Sequence, residues 1–119
     1  MPGVVKNDLG KIVITEDIIE TIAGNATVEN YGIVGMAGKK ASDGIWELLK
    51  RENIRKGVRA ITTDQGIVVD LYVMVEYGVS INAVAENVIQ NVGYKVSDCT
   101  GLHVSSVNVH VEGVRVQSV

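Results

Sequence analysis

Cys99, His103 and His110 are the residues whose types first suggest reactive chemistry. A cysteine nucleophile needs a histidine within hydrogen-bond reach and a surrounding that lowers the thiol pKa. Cys99 falls at the C-terminal end of a predicted helix, where the helix dipole opposes a thiolate. His103 and His110 are seven positions apart on a predicted strand, which sends them to opposite faces and denies them a shared metal unless the strand is bulged. Asp70 and Glu76 share a strand face but stand about 20 Å apart along it, beyond the separation of a glycosidase carboxylate pair. Gly32, Gly35 and Gly38 would suit a phosphate cradle, yet no strand–loop–helix fingerprint surrounds them and no Gly-Lys-Ser or Gly-Lys-Thr follows. Their alternative role is close backbone packing or a bulge in a strand. No enzyme is indicated by these residues, and no catalytic, cofactor or metal residue is assigned.

Charge supplies the next candidate. Lys39, Lys40, Lys50, Arg51, Arg55, Lys56 and Arg59 meet only Asp43, Glu47 and Glu52, so residues 39–59 carry +4 and the rest of the chain −7, within a total of −3. Such a segment is either a solvated surface or a docking site for an acidic partner. Lys50, Arg51, Arg55, Lys56 and Arg59 are the candidate partner-binding residues. Nucleic acid is the alternative occupant, but the Gly-x-x-Gly spacing of Gly32 and Gly35 lies inside a predicted strand rather than between helices, and no aromatic pair marks an RNA-binding sheet. No nucleic acid is expected as partner.

The element that must position everything else is Gly66 to Tyr77. Ile67, Val69, Leu71, Val73, Val75 and Tyr77 form one face at period two, and Val68, Asp70, Tyr72, Met74 and Glu76 the other. One face is core; the mixed face makes Tyr72 and Met74 candidates for a small-ligand carrier. Thr63-Asp64-Gln65-Gly66 is a turn that joins this strand to Val58–Thr63 as a hairpin. Upstream, Gly10 to Ile14 is a short strand. Thr15 is placed to cap a helix running to about Val28, with Ile18, Ile19, Ile22, Ala23 and Ala26 at helical spacing and Gly24 marking a close approach. Tyr31 to Gly38 reads as a buried strand. Ser42 or Asp43 is expected to cap a short helix through Ile45, Trp46, Leu48 and Leu49 that ends near Asn53, with Trp46 in the core or a satellite cluster.

Ser80 is expected to cap the second long helix, whose core side is Ile81, Val84, Ala85, Val88, Ile89, Val92 and Val96. Its outer side carries Asn82, Asn87, Gln90 and Asn91 around the single charge of Glu86. Neutral amides are cheaper to bury than ions, so these five residues are the candidate self-association surface, with plain solvation as the other reading. Gly101 ends the helix. His103 to Val111 is the last strand, with a bulge near Ser105 because Val104 is out of phase with Val107, Val109 and Val111. The expected fold is α+β, a mixed β-sheet with two main helices packed on one face, in the order β-α-β-short α-β-β-α-β. Residues 1–9 are expected to be a flexible tail and residues 10–119 a single domain.

The 46% hydrophobic content comes with only 4% aromatics and no Phe, so the core is built from aliphatic side chains. One cysteine closes no intrachain disulfide, which fits a reducing compartment. No stretch has the length of a signal-peptide core or a membrane span, so a cytoplasmic protein is expected.

Four blocks in order carry a family resemblance: residues 10–14; residues 31–37; Val69-Asp70-Leu71-Tyr72-Val73-Met74-Val75-Glu76-Tyr77-Gly78; and Thr100-Gly101-Leu102 with residues 107–114. Together they resemble the alkaline-shock-protein family of Gram-positive envelope stress response proteins, its small YloU-like members above all, over about residues 10 to 116. The resemblance implies a cytoplasmic, non-enzymatic α+β protein of cell-envelope homeostasis, with no cofactor. It also implies a homo-oligomer that reaches the membrane only through a partner, either a membrane-anchored protein or a dihydroxyacetone-kinase-like protein of fatty-acid phosphorylation.

Overall fold

The computed structural model describes residues 3–39 and 46–116, without the side chains of Lys39 and Arg51. Gly66–Glu76 is the longer strand of the hairpin and the hub of the sheet, and its burial alternates without a miss, Ile67, Val69, Leu71, Val73 and Val75 all being enclosed. We label it β6. Before it come β1 (Gly3–Asn7), β2 (Gly10–Ile14), α1 (Glu16–Val28), β3 (Ile33–Lys39), β4 (Trp46–Leu48), a 3₁₀ helix (Arg51–Gly57) and β5 (Val58–Thr63); after it come α2 (Ile81–Thr100) and β7 (Val104–Arg115).

On one side of β6, β5 pairs antiparallel with its first half and β3 antiparallel with its second; on the other side β7 runs parallel along its length. β4 extends the sheet beyond β3. The fold is therefore α+β with a mixed sheet, and both helices lie on one face of it. Ile19, Ala23 and Ala26 of α1 and Val84, Val88, Val92 and Val96 of α2 close on the apolar face of β6 in a single cluster. Each buried Val, Leu or Ile side chain contributes about 1.5–3 kcal/mol relative to exposure.

The ends of α2 are as the sequence dictates. Ser80 Oγ accepts the Ala83 backbone N–H at 3.3 Å, and Gly101 adopts the left-handed conformation that stops the helix, at φ 72°. Thr15 occupies the N-cap position of α1 with extended backbone, but its side chain makes no capping bond. Two register shifts mark β7, one at Ser105 where the valine phase breaks, the other at Glu112.

Two expectations are corrected. Within residues 1–9, expected to be a flexible tail, Gly3–Asn7 pairs antiparallel with Gly10–Ile14, turned by Asn7, whose Oδ1 accepts the backbone N–H groups of Leu9 and Gly10 at 2.9 and 3.0 Å. The short helix through Trp46 and Leu49 is instead β4 followed by the 3₁₀ helix. Ser42, Asp43 and Ile45 lie outside the described residues. The edge of β3 supplies backbone partners that a two-turn helix lacks: Lys39 stands opposite Trp46 and Ala37 opposite Leu48, and the Leu49 N–H donates to Met36 O at 2.8 Å.

Gly24 marks a close approach, both to the 3₁₀ helix and to Val58, the first residue of β5, whose Cγ2 would stand 3.4 Å from a Cβ at this position. A Cβ there would stand 2.3 Å from Ile54 Cγ2.

Candidate functional site

The basic candidates whose side chains are described, Lys50, Arg55, Lys56 and Arg59, do not form one patch. Lys50, Arg55 and Lys56 are exposed at or on the 3₁₀ helix, which leans on α1. Arg55 faces the Asp17 carboxylate of α1 at 3.1 Å with both side chains mostly in water, so the pair adds little to stability and partly neutralises the cation. Between the two helices lies an open groove of about 300 Å³ lined by Thr21 and Asn25 on one wall and by Glu52, Asn53, Ile54, Arg55 and Lys56 on the other. Arg59 is elsewhere. It alternates with the buried Val58 and Ala60 on β5, so it points away from the helices, opposite Asp70 of β6.

The amide face of α2 is divided as well. Asn82, Glu86, Asn87, Gln90 and Asn91 are all exposed, but by helical spacing Asn82 and Glu86 turn toward the β7 side, Asn87 and Asn91 toward α1, and Gln90 outward between them. Asn82 Nδ2 donates to Glu86 Oε1 at 3.4 Å within the helix. Asn91 Nδ2 donates to Asn30 Oδ1, which ties α2 to the end of α1. A second open groove, about 380 Å³, lies there, lined by Ala26, Glu29, Asn30, Asn91, Tyr94 and Lys95.

On the face of the sheet away from the helices, the structure assembles a group that sequence reasoning missed. Tyr72 stacks on Trp46 with ring centroids 5.1 Å apart and on His110 with centroids 4.5 Å apart, both nearly parallel. Gly35 and Ala37 keep the intervening strand low on this face, with Leu48 packed where a Gly35 Cβ would be. Asp70 accepts from Asn108 Nδ2 at 2.9 Å and lies 3.5 Å from His110 Nε2. The polar face of β6 was legible, but Trp46 came to it only because residues 46–48 are a strand. Since Trp46 approaches Tyr72 from the β3 side and His110 from the β7 side, both faces of the tyrosine ring are taken, and Tyr72 offers no open platform to a ligand. Trp46 is half-buried in this satellite cluster rather than in the core.

Cys99 is exposed, not buried, in the last turn of α2, and among the described residues no three His, Cys, Asp or Glu side chains converge on a metal-sized position. No helix among the described residues is long and apolar enough to cross a membrane.

A family model for the alkaline shock proteins, described as having cell envelope-related function, matches residues 4–116. The uncharacterized protein YloU of Bacillus subtilis (strain 168) is 45% identical over 108 residues, 90% of each chain. A Streptococcus pyogenes protein, Spy1614, is 40% identical over 90% of this chain and 89% of its own, and YqhY of Bacillus subtilis is 37% identical over 90% and 78%. Among solved structures, a MamM CTD aligns with a TM-score of 0.46 at 15% identity, covering 84% of this chain and 93% of that one.

Proposed function

The chain belongs to the alkaline shock protein family, of cell envelope-related function, and from that membership we propose that it is a non-enzymatic interaction protein of cell-envelope homeostasis, which associates with itself and binds a membrane-linked or metabolic partner. The observation that carries partner binding is the groove between α1 and the 3₁₀ helix, open to solvent, walled by Thr21, Asn25, Asn53, Ile54 and the carboxylate of Glu52, and edged by Arg55 and Lys56 on a chain whose net charge is −3. An acidic segment of a partner would find two cations and hydrogen-bonding side chains there. The exposed amides of α2 support self-association, because they are desolvated at less cost than ions. The protein works inside the cell and reaches the membrane through its partner.

Affinity purification from native cells, with identification of the proteins that come with it, tests the reading. Specific co-purification of a membrane-anchored or kinase-like protein, undisturbed by excess mixed DNA or RNA at physiological salt, is the expected result. Displacement of that partner by RNA would transfer the reading to nucleic-acid binding, since phosphate backbones compete for the same cations.

A further inference from the structure

The sheet has two lateral edges in its helix-covered half, and the fold treats them differently. At β5 the edge is closed by α1: Glu20 Oε2 accepts the Ala60 N–H at 3.4 Å and Glu16 Oε2 accepts the Thr62 N–H at 3.1 Å, two carboxylates one helical turn apart standing in for a neighbouring strand. At β7 no strand or side chain among the described residues takes that place, although the strand runs for twelve residues. Its ends are bulged at Ser105 and Glu112, and between them Ser106–Val111 keeps unbroken register with Val68–Val73. This middle stretch, Ser-Val-Asn-Val-His-Val, holds no Lys, Arg, Asp, Glu or Pro, the residues that commonly guard an edge.

We propose that a second copy of this chain pairs on the free edge of β7, strand against strand about a two-fold axis near Asn108, so that two sheets become one. This rests on the self-association read above and says where it occurs. The stretch is self-complementary. Antiparallel pairing centred on Asn108 sets Val107 against Val109 of the second copy on the helix side and Ser106 against His110 of the second copy on the open side, and no two like charges meet. The second copy also explains the flank of the edge. A groove of about 420 Å³ separates β7 from α2, with Ile89, Gly93 and Ser97 repeating every fourth residue along one wall and the exposed Tyr94 at its rim. The two-fold brings both copies of α2 to the same side of the joined sheet and next to each other, so each supplies helix surface to the other's groove. A lone peptide strand would satisfy the ladder and leave that groove empty.

The test uses the full chain. Sedimentation or light scattering at micromolar concentration is expected to give a dimer, and Asn108→Lys, an exposed site where the two lysines would face each other at the axis, is expected to give a monomer with an unchanged circular-dichroism spectrum. In a Cys99→Ser background, Asn108→Cys is expected to form a disulfide-linked dimer under mild oxidation, while Asn87→Cys, on the α1 side of α2, does not. A wild-type dimer that survives Asn108→Lys but is lost with Asn87→Lys or Gln90→Lys would overturn the edge and keep self-association through the amides. A wild-type monomer to high micromolar would overturn both, leaving the edge to a strand of a different protein.

Discussion

Glu20 of α1 accepts the backbone N–H of Ala60, joining positions 40 apart in sequence at 3.4 Å. Burial raises the Glu20 carboxyl above its ordinary value; the Ala60 N–H opposes this, Asp17 adds to it, Arg55 opposes it and Glu16 adds to it again. A raised pKa means the folded state holds the proton more tightly than the unfolded chain. Stability is therefore lost as pH rises from the ordinary value of 4.5 through the folded one, and is level above that. Glu20→Gln keeps an oxygen for Ala60 and removes the charge. Its melting temperature relative to the wild type should rise between pH 4 and pH 7; a difference that falls over that range would contradict the assignment.

Gly24→Ala brings two effects into competition. Alanine gains about 1 kcal/mol in a helix interior, but its Cβ would lie 2.3 Å from Ile54 Cγ2, an atom attached at a branched Cβ with little freedom to withdraw. Overpacking of this kind costs about 1–3 kcal/mol. The variant should be destabilised by about 1 kcal/mol in urea titration, and in an Ile54→Ala background the same change should become stabilising.

Thr62 carries a hydroxyl oxygen that is buried without a hydrogen-bond partner among the described residues. An unsatisfied buried hydroxyl costs about 1–3 kcal/mol, and valine has nearly the same shape with a preference for strands. Thr62→Val should match or exceed the wild type in stability by up to about 1 kcal/mol. A clear loss in chemical denaturation would mean that the hydroxyl has a bound water or partner.

Arg55 and Lys56 tie the groove to partner binding. Replacing both with Gln should weaken recruitment of the native partner, measured by pull-down, while leaving stability within about 1 kcal/mol, because exposed ion pairs contribute little to folding. Unchanged recruitment would make these residues ordinary solvated surface.

Where a backbone pattern met no competitor, the fold could be read in advance. The period-two alternation of β6, the span of α2 between Ser80 and Gly101 with Val84, Val88, Val92 and Val96 inward, and the bulge at Ser105 all follow from local residue order, whereas Ile81 and Ile89, expected on the core side of α2, are exposed. Trp46-Glu47-Leu48 could not be read this way, since three residues carry too little periodicity and the edge of β3 decides their conformation. The same holds for Gly3–Asn7, whose strand partner among the described residues is the adjacent strand. The candidate surfaces were legible as residue types but not as places. Charge alone grouped Arg59 with Arg55, whereas the alternation of Val58, Arg59 and Ala60 sends Arg59 through the sheet to the other side. The ring stack depended on knowing that β4, β6 and β7 bring Trp46, Tyr72 and His110 abreast.

The parallel placement of β7 has a consequence in time. β7 follows every other described element along the chain, and it reaches β6 only by way of α2, so Ser105 bonds to Ile67 across 38 positions. A chain still emerging from the ribosome can form the β5–β6 hairpin from neighbouring residues, yet β6 then has one side of Ile67–Val75 unmatched and α2 lacks the valines of β7 beneath it. Misassembly between nascent chains is thus concentrated in the interval before the stretch beyond Val104 is released. The step that ends this interval is the addition of an edge strand, and the slowest part of folding is expected to be the arrival of β7.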